Sequence, residues 1–404
     1  MLKRILILSK FDSFARVAKR VADGFATRGF IVEQRLISAG REALSPRIYR
    51  EIGLSPRTSV TTLEKLFSSK EDLAGFTAVY LGATGAFIRN FLGHMQQSFS
   101  GTQPRPLTLT GYPGVILKEK LSGFANRCGC DFILLNSKAD LEDYRRFCRN
   151  YNLEDKGGRL FGYCFPAFHK EQIRHIQRVL FVEQAVIPAS LRERLYLAQQ
   201  LLSYASHHPS QEIIIKPRLV PGEKSIFTPK HHIETLLKSL SSLPRNLRID
   251  YGNIQQLLED ADICLTVSSS VALQSMAYGI PTGIIRDFGV RDEYGTDFFR
   301  DSGCLITFEE LTKGKMPVLH REWFEHNFIS CDETLSSLID AVEEEYNRRM
   351  LVNDWAMNKN LESIFCREYQ NFISDYAKYR NRKRFLAQRI IIYFKANFKK
   401  IFQQ

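Results

Sequence analysis

Leu265–Val290, LTVSSSVALQSMAYGIPTGIIRDFGV, is the stretch whose reading decides the fold. With Ala261–Cys264 in front of it, it runs from an apolar segment into the hydroxyl turn Ser268, Ser269 and Ser270. A helical segment follows, stopped by Gly279-Ile280-Pro281, and a second apolar segment begins in TGIIRDF. This is strand, turn, helix, strand: one βαβ unit, whose crossover lays two strands parallel with a helix over the sheet. On such sheets ligands bind where strand C-termini meet helix N-termini. Hydroxyls beside the unpaired N–H groups of a helix start suit an anion, and the helix dipole favours a phosphate there. The turn is therefore expected to face a phosphate. The competing reading is that the serines only cap the helix.

The same grammar recurs on both sides. RILILSKFDSFARVAKRVADGFATRGFIVEQRLI reads strand, turn, amphipathic helix, glycine turn, strand. FTAVYL with GATGAFIRNFL, PLTLTGYPGVIL and CDFILLNSKADLEDYRRFC continue it. A second series opens at RVLFVEQAVIP and passes through EIIIKPRL and NLRIDYG to the βαβ unit. Alternation of this kind predicts an α/β protein of two parallel, doubly covered sheets. The expected division is a Rossmann-like domain over residues 1–170, a second over 171–345, a helical crossover over 346–375 and a basic tail over 376–404. Residues 307–331 carry no clear period.

A chain of 404 residues with 44% hydrophobic content can build such cores. Its eight cysteines include no C-x-x-C pair and no clustered histidine at zinc spacing, so no structural metal is expected and a reducing cytoplasm is the natural compartment. MLKRILILSKFDS passes from its apolar run straight into a polar turn and reads as a first strand, not a secretion signal. No run reaches the ~18 apolar residues of a spanning helix.

The net charge of +12 is unevenly placed. After Asp375 the chain holds nine Lys and Arg and no acid, which leaves +3 to the remainder. Phe385, Ile390, Phe394 and Phe398 interleave there with Arg384, Arg389, Lys395 and Lys399, the pattern of a basic amphipathic helix on an anionic membrane surface. The alternative is a helix packed on the body. No nucleic-acid motif accompanies the charge, and no nucleic acid is expected as partner.

Several residues stand where chemistry is done on doubly wound sheets. Lys216 and Arg218 follow the apolar strand EIII and should emerge at its C-terminal end beside Ser268, Ser269 and Ser270. Cations there can stabilise a departing phosphate. Glu223 in PGE is a candidate for a ribose or base contact. Asp12, directly after the first strand in KFDSF, is the candidate general base, against a role as helix N-cap. Glu183 in FVEQ is its rival, and Asp287 and His94 stand behind both. Thr110, Gly111 and Gly114 in TGYPG are candidates for the acceptor side.

Two Rossmann-like domains followed by a helical segment are the arrangement of GT-B glycosyltransferases. KFDSF, TGYPGV, CDFILLNSKADLEDY, FVEQAVIP, IIIKPRLVPGE and TVSSSVALQSMAYGIPTGIIRDFGV, in this order, resemble an uncharacterised family of bacterial glycosyltransferases. More distantly, the Lys-Pro dipeptide and the serine run are similar to motifs of bacterial sialyltransferases and Kdo transferases, with Lys216 where those carry His. The resemblance implies a nucleotide-sugar donor, such as a CMP-activated acidic sugar, no bound metal and no cofactor. It also places Gln274 where an acid often contacts ribose. The expected activity is transfer to a surface-glycan or glycolipid acceptor, such as a capsule or lipopolysaccharide intermediate, by a cytoplasmic enzyme on the inner face of the plasma membrane. The alternatives are a CDP-polyol phosphotransferase and a non-catalytic nucleotide- or glycan-binding protein.

Overall fold

The computed structural model describes residues 3–38, 46–55, 57–68, 70–99, 101, 103–116, 120–171, 173, 175–223, 229, 231–240 and 242–365. Apolar runs buried on both faces become central parallel strands. Thus Ala78–Gly82 and Leu107–Gly111 are buried at every position. The first sheet comprises β1 (Arg4–Ser9), β2 (Ile31–Ile37), β3 (Ser59–Thr61), β4 (Ala78–Gly82), β5 (Leu107–Gly111), β6 (Phe132–Leu135) and β7 (Gly158–Leu160). Its order is β3-β2-β1-β4-β5-β6-β7, every pair parallel.

The second sheet comprises β8 (Arg178–Val182), β9 (Glu212–Lys216), β10 (Leu247–Ile249), β11 (Ile263–Thr266), β12 (Thr282–Ile285) and β13 (Leu305–Ile306). It repeats the plan as β10-β9-β8-β11-β12-β13, again all parallel. In each sheet the order reverses beside the first strand, between β1 and β4 and between β8 and β11. Those reversals are the crevices in which doubly wound sheets hold ligands. The unit read first from the sequence is β11, helix Val271–Ala277 and β12. This is the expected architecture of two Rossmann-like domains.

The C-terminal part departs from the expected boundaries. Residues 307–331, aperiodic in sequence, hold two short helices, Phe308–Thr312 and Arg321–Asn327. The return to the first domain begins at helix Cys331–Val352, not after residue 345, and is started by a capping box of Ser330 and Glu333. Its Leu335, Leu338, Ile339 and Val342 share one core with Val17, Val21 and Phe25 of helix Phe11–Thr27. Gly24 permits this approach, since a Cβ there would stand 2.3 Å from Leu335 Cδ2. Beyond the helix, buried Arg105 donates to the carbonyls of Trp355 (3.0 Å) and Ala356 (2.8 Å), and both Arg105 and Arg349 pair with Asp131. The expected amphipathic helix of the tail lies outside the described residues. Among the described residues no helix is long and apolar enough to cross a membrane.

Candidate active site

A cavity of about 670 Å³ opens between the C-terminal ends of the two sheets. From the first domain it is bordered by Asp12, Arg16 and Arg20 of helix Phe11–Thr27, by Tyr112 and Pro113 after β5, and by Asn136 after β6. From the second come Glu183 and Gln184 after β8, Lys216 at the end of β9 and Arg218 after it, and Ser269, Ser270 and Gln274 after β11. The two sets face one another. Gly114, from the first domain, lies so close to Ser270 that a Cβ there would be 3.7 Å from its hydroxyl.

Asp12 is not an N-cap. The helix is preceded by Lys10, which makes no side-chain cap, and Phe11 opens it at φ 65°, a strained value for a bulky residue. Asp12 stands in the first turn, and its carboxylate accepts from the Arg218 guanidinium at 3.1 Å. The candidate base of one domain therefore meets the candidate phosphate cation of the other. Both side chains are partly exposed, at 29% and 41%, so the pair is weak and open to competition from a ligand.

Lys216 is more enclosed. It ends β9 with 8% of its surface exposed, and its ammonium donates to the Pro217 carbonyl at 3.1 Å. Burial, and then the charge of Arg47, push it below the ordinary lysine value. A desolvated ammonium bordering a cavity is suited to an anionic ligand.

Four expectations are corrected by the packing. Glu183 is buried and tied to Arg194 at 2.8 Å, while its other oxygen accepts from the Arg218 N–H at 3.3 Å, so it is a clasp between loops and not a poised base. Arg194 also donates to the carbonyls of Gln184, Ala185, Pro188 and His231, fixing the whole loop after β8. Of the three serines, Ser268 is turned away: its hydroxyl donates to the Tyr294 carbonyl, and its N–H donates to Gln184 Oε1 at 2.9 Å. The N–H groups of Ser269 and Val271 are likewise directed to Thr266 Oγ1 and Ser269 Oγ. The turn therefore offers the cavity the side chains of Ser269 and Ser270 more than a row of free N–H groups.

Glu223 does not border the cavity. It pairs with Arg47 of helix Pro46–Ile52 at 2.9 Å and accepts from the Val220 N–H, so it bridges the domains. On the acceptor side Thr110 is fully buried in β5, donating to the Leu81 carbonyl, and Gly111 packs against Leu134 and Tyr80. The side chains that do face the cleft there are Tyr112 and Asn136. Asn136 donates to the carbonyls of Tyr112 (3.3 Å) and Gly114 (2.8 Å), which shapes the TGYPG turn. The Asn-Ser pair was legible only as a helix start; Ser137 is the cap, and Asn136 was missed. Gln274 borders the cavity and donates to the Tyr278 hydroxyl at 2.9 Å. Asp287 accepts from the Tyr196 hydroxyl and the Phe308 N–H, and His94 stacks on Phe67, both outside the cavity lining.

Solved structures share the fold with little sequence in common. UDP-GlcNAc 2-epimerase from Neisseria meningitidis, solved bound to UDP-GlcNAc, superposes with a TM-score of 0.52 at 12% identity, over 84% of this chain and 100% of that one. The S. aureus MnaA–UDP co-structure gives a TM-score of 0.55 at 10% identity, over 86% and 97%. The Methanocaldococcus jannaschii UDP-GlcNAc 2-epimerase in complex with UDP-GlcNAc and UDP gives 0.54 at 11%, over 84% and 99%. At these identities the likeness speaks for the fold. No curated protein matches the sequence. A family model does: the one described as "Putative glycosyltransferase (DUF6716)" matches residues 5–344, and the chain belongs to that family.

Proposed function

We propose that the chain transfers a glycosyl group from a nucleotide sugar to a hydroxyl of a surface-glycan acceptor, with the donor phosphate on the second domain and the acceptor against the first. The observation that carries this reading is the pair Asp12 and Arg218 across the cleft, with Lys216, Ser269 and Ser270 beside it. A donor phosphate entering beside Lys216 competes for the Arg218 guanidinium and releases the Asp12 carboxylate. Asp12 then takes the proton of the acceptor hydroxyl as its oxygen bonds to the anomeric carbon. The bond from that carbon to the phosphate oxygen breaks, and Lys216 and Arg218 stabilise the charge left on the nucleotide.

Within this class the narrower donor is a CMP-activated acidic sugar, supported by the likeness of Lys216-Pro217 and the serine run to the motifs of transferases that use such donors. The first competitor is a UDP sugar, since solved proteins of similar fold hold UDP-GlcNAc or UDP. The acceptor is a capsule or lipopolysaccharide intermediate at the inner face of the plasma membrane, reached through the basic stretch 376–404.

The test is a thermal-shift panel of CMP and UDP sugars and CDP-glycerol, followed by transfer assays with the stabilising donor. A shift with one nucleotide sugar and acceptor-dependent release of its nucleotide is expected. Stabilisation by CDP-glycerol alone would move the activity to polyol phosphate transfer. Epimerisation of UDP-GlcNAc without any acceptor would overturn the transferase reading, and binding without turnover would leave a nucleotide- or glycan-binding protein. Removing residues 376–404 should lower sedimentation with anionic vesicles and spare donor binding; equal sedimentation of both forms would refute the membrane role.

A further inference from the structure

Two cysteines meet in the wall of the cleft. The segment after β7 and the start of helix Cys331–Val352 run side by side as a parallel bridge between Tyr163 and Ser330. The Tyr163 N–H donates to the Ile329 carbonyl at 2.8 Å, and the Cys331 N–H donates to the Tyr163 carbonyl at 3.0 Å. Gly162 allows the approach, at φ +96° and with a Cβ that would fall 2.5 Å from the Ile329 carbonyl oxygen. The next residue on each side is a cysteine, Cys164 and Cys331, so the register sets them opposite one another. Paired strands lie about 4.8 Å apart. That is inside the roughly 4.4–6.8 Å between Cα atoms that a disulfide spans.

The two thiols differ in setting. Cys164 borders the cavity and is partly exposed, whereas Cys331 is buried behind it at the first position of its helix. The Cys331 thiol is held below its ordinary value, first by a hydrogen bond from the Cys164 thiol, with Arg20 adding to this against burial and Asp332. Burial pushes up the thiols of Cys128, Cys130, Cys148, Cys264 and Cys304. A thiol of lowered value at a helix start, beside an arginine and next to a second, accessible thiol, is the setting of an oxidisable pair.

We propose that Cys164 and Cys331 are a peroxide-oxidisable dithiol that closes to a disulfide in the wall of the cleft. Cys331 sulfur attacks one oxygen of a hydroperoxide. The O–O bond breaks, an S–O bond forms, and the expelled hydroxide leaves as water after taking up a proton. The Cys164 sulfur then displaces the hydroxyl from Cys331: the S–S bond forms, the S–O bond breaks, and a second water departs with the Cys164 proton. Two thiols are oxidised by two electrons and one peroxide is reduced to two waters. The bridge ties the segment after β7 to the return helix and removes the thiol that faces Arg20, itself a residue of the cavity wall.

The test uses the full chain and hydrogen peroxide, with no sugar donor, so its outcome is separate from that of the proposed transfer. Treated protein should lose two hydrogen masses, recover them with a dithiol reductant, and yield one cross-linked peptide pair containing Cys164 and Cys331. Cys164→Ser should stop at a sulfenic acid on Cys331 that a 1,3-diketone traps, and Cys331→Ser should lose the fast reaction altogether. The proposal is overturned if the wild-type peptide map leaves both residues as free thiols, or joins either to another cysteine, Cys366 included. That map needs no variant and decides the matter even if a substitution prevents folding. Oxidation of Cys331→Ser at the wild-type rate would also overturn it.

Discussion

The ammonium of Lys216 illustrates what a single residue gains from its place at a strand end. Burial disfavours its charged form, so its value falls below that of a free lysine, and a bound phosphate would restore it. The sign follows: nucleotide affinity is greatest while free Lys216 is protonated and declines as pH rises through its lowered value. Titrating nucleotide binding across the alkaline range should show this decline in the wild type and a flat, weaker response in Lys216→Ala. Equal slopes would remove Lys216 from the phosphate. Asp12→Asn should retain nucleotide binding and lose most turnover, because the amide cannot take the acceptor proton. Glu183→Gln should behave differently, losing about 3 kcal/mol of stability because Arg194 is left without its buried counter-charge. Denaturant midpoints beside steady-state rates separate the two. A destabilised Asp12→Asn with intact turnover would reverse the assignment. The position of Asp12 was legible because it follows the first strand of a doubly wound sheet. The pairing of Glu183 was not, because a sequence gives no sign that Arg194, one helix turn into the next element, folds back beneath the loop.

At the scale of one element, the turn after β11 was read correctly in type and wrongly in detail. Strand, helix and stop residues follow from apolar runs and Gly279-Ile280-Pro281, all local signals. Which hydroxyl faces the cleft is decided by partners far along the chain: Gln184 and Tyr294 claim Ser268, leaving Ser269 and Ser270 at the cavity. The turn therefore divides its labour. Replacing Ser269 and Ser270 together by Ala should weaken nucleotide binding, each lost hydrogen bond to a charged phosphate being worth about 1.5–3 kcal/mol. Ser268→Ala should instead lower stability by about 1 kcal/mol and leave affinity near wild type. Calorimetric titration of both variants checks this. Full loss of affinity in Ser268→Ala, with none in the double variant, would mean that the turn rearranges around its ligand.

Across the whole molecule, the two sheets were legible because each repeats its own period, whereas the return of the chain to the first domain was placed too late. The apolar stripe of helix Cys331–Val352, Leu335, Leu338, Ile339, Val342 and Tyr346, is set among charged residues, and its partner is a helix some three hundred residues earlier. What fastens the return is a buried charge cluster: Arg105 and Arg349 on Asp131, with Arg105 also holding the carbonyls of Trp355 and Ala356. Burial alone would raise the Asp131 carboxyl, but the two guanidinium groups overrule it and hold it well below the usual carboxylate range. A carboxylate lowered on folding stabilises the protein above its unfolded value, near about 4, and that stabilisation is lost as pH falls toward the folded value. Asp131→Asn leaves the buried Arg105 without its counter-charge, while Arg349 keeps Glu345, at an expected cost of about 3–5 kcal/mol near neutrality. The cost should shrink below about pH 4, where the unfolded wild type takes up a proton on Asp131 that the folded protein still excludes. Urea midpoints of wild type and variant from neutral pH downward provide the measurement. Converging curves at low pH support the clasp, and curves that stay parallel would mean that apolar packing around Leu335 and Trp355 alone joins the return helix to the first domain.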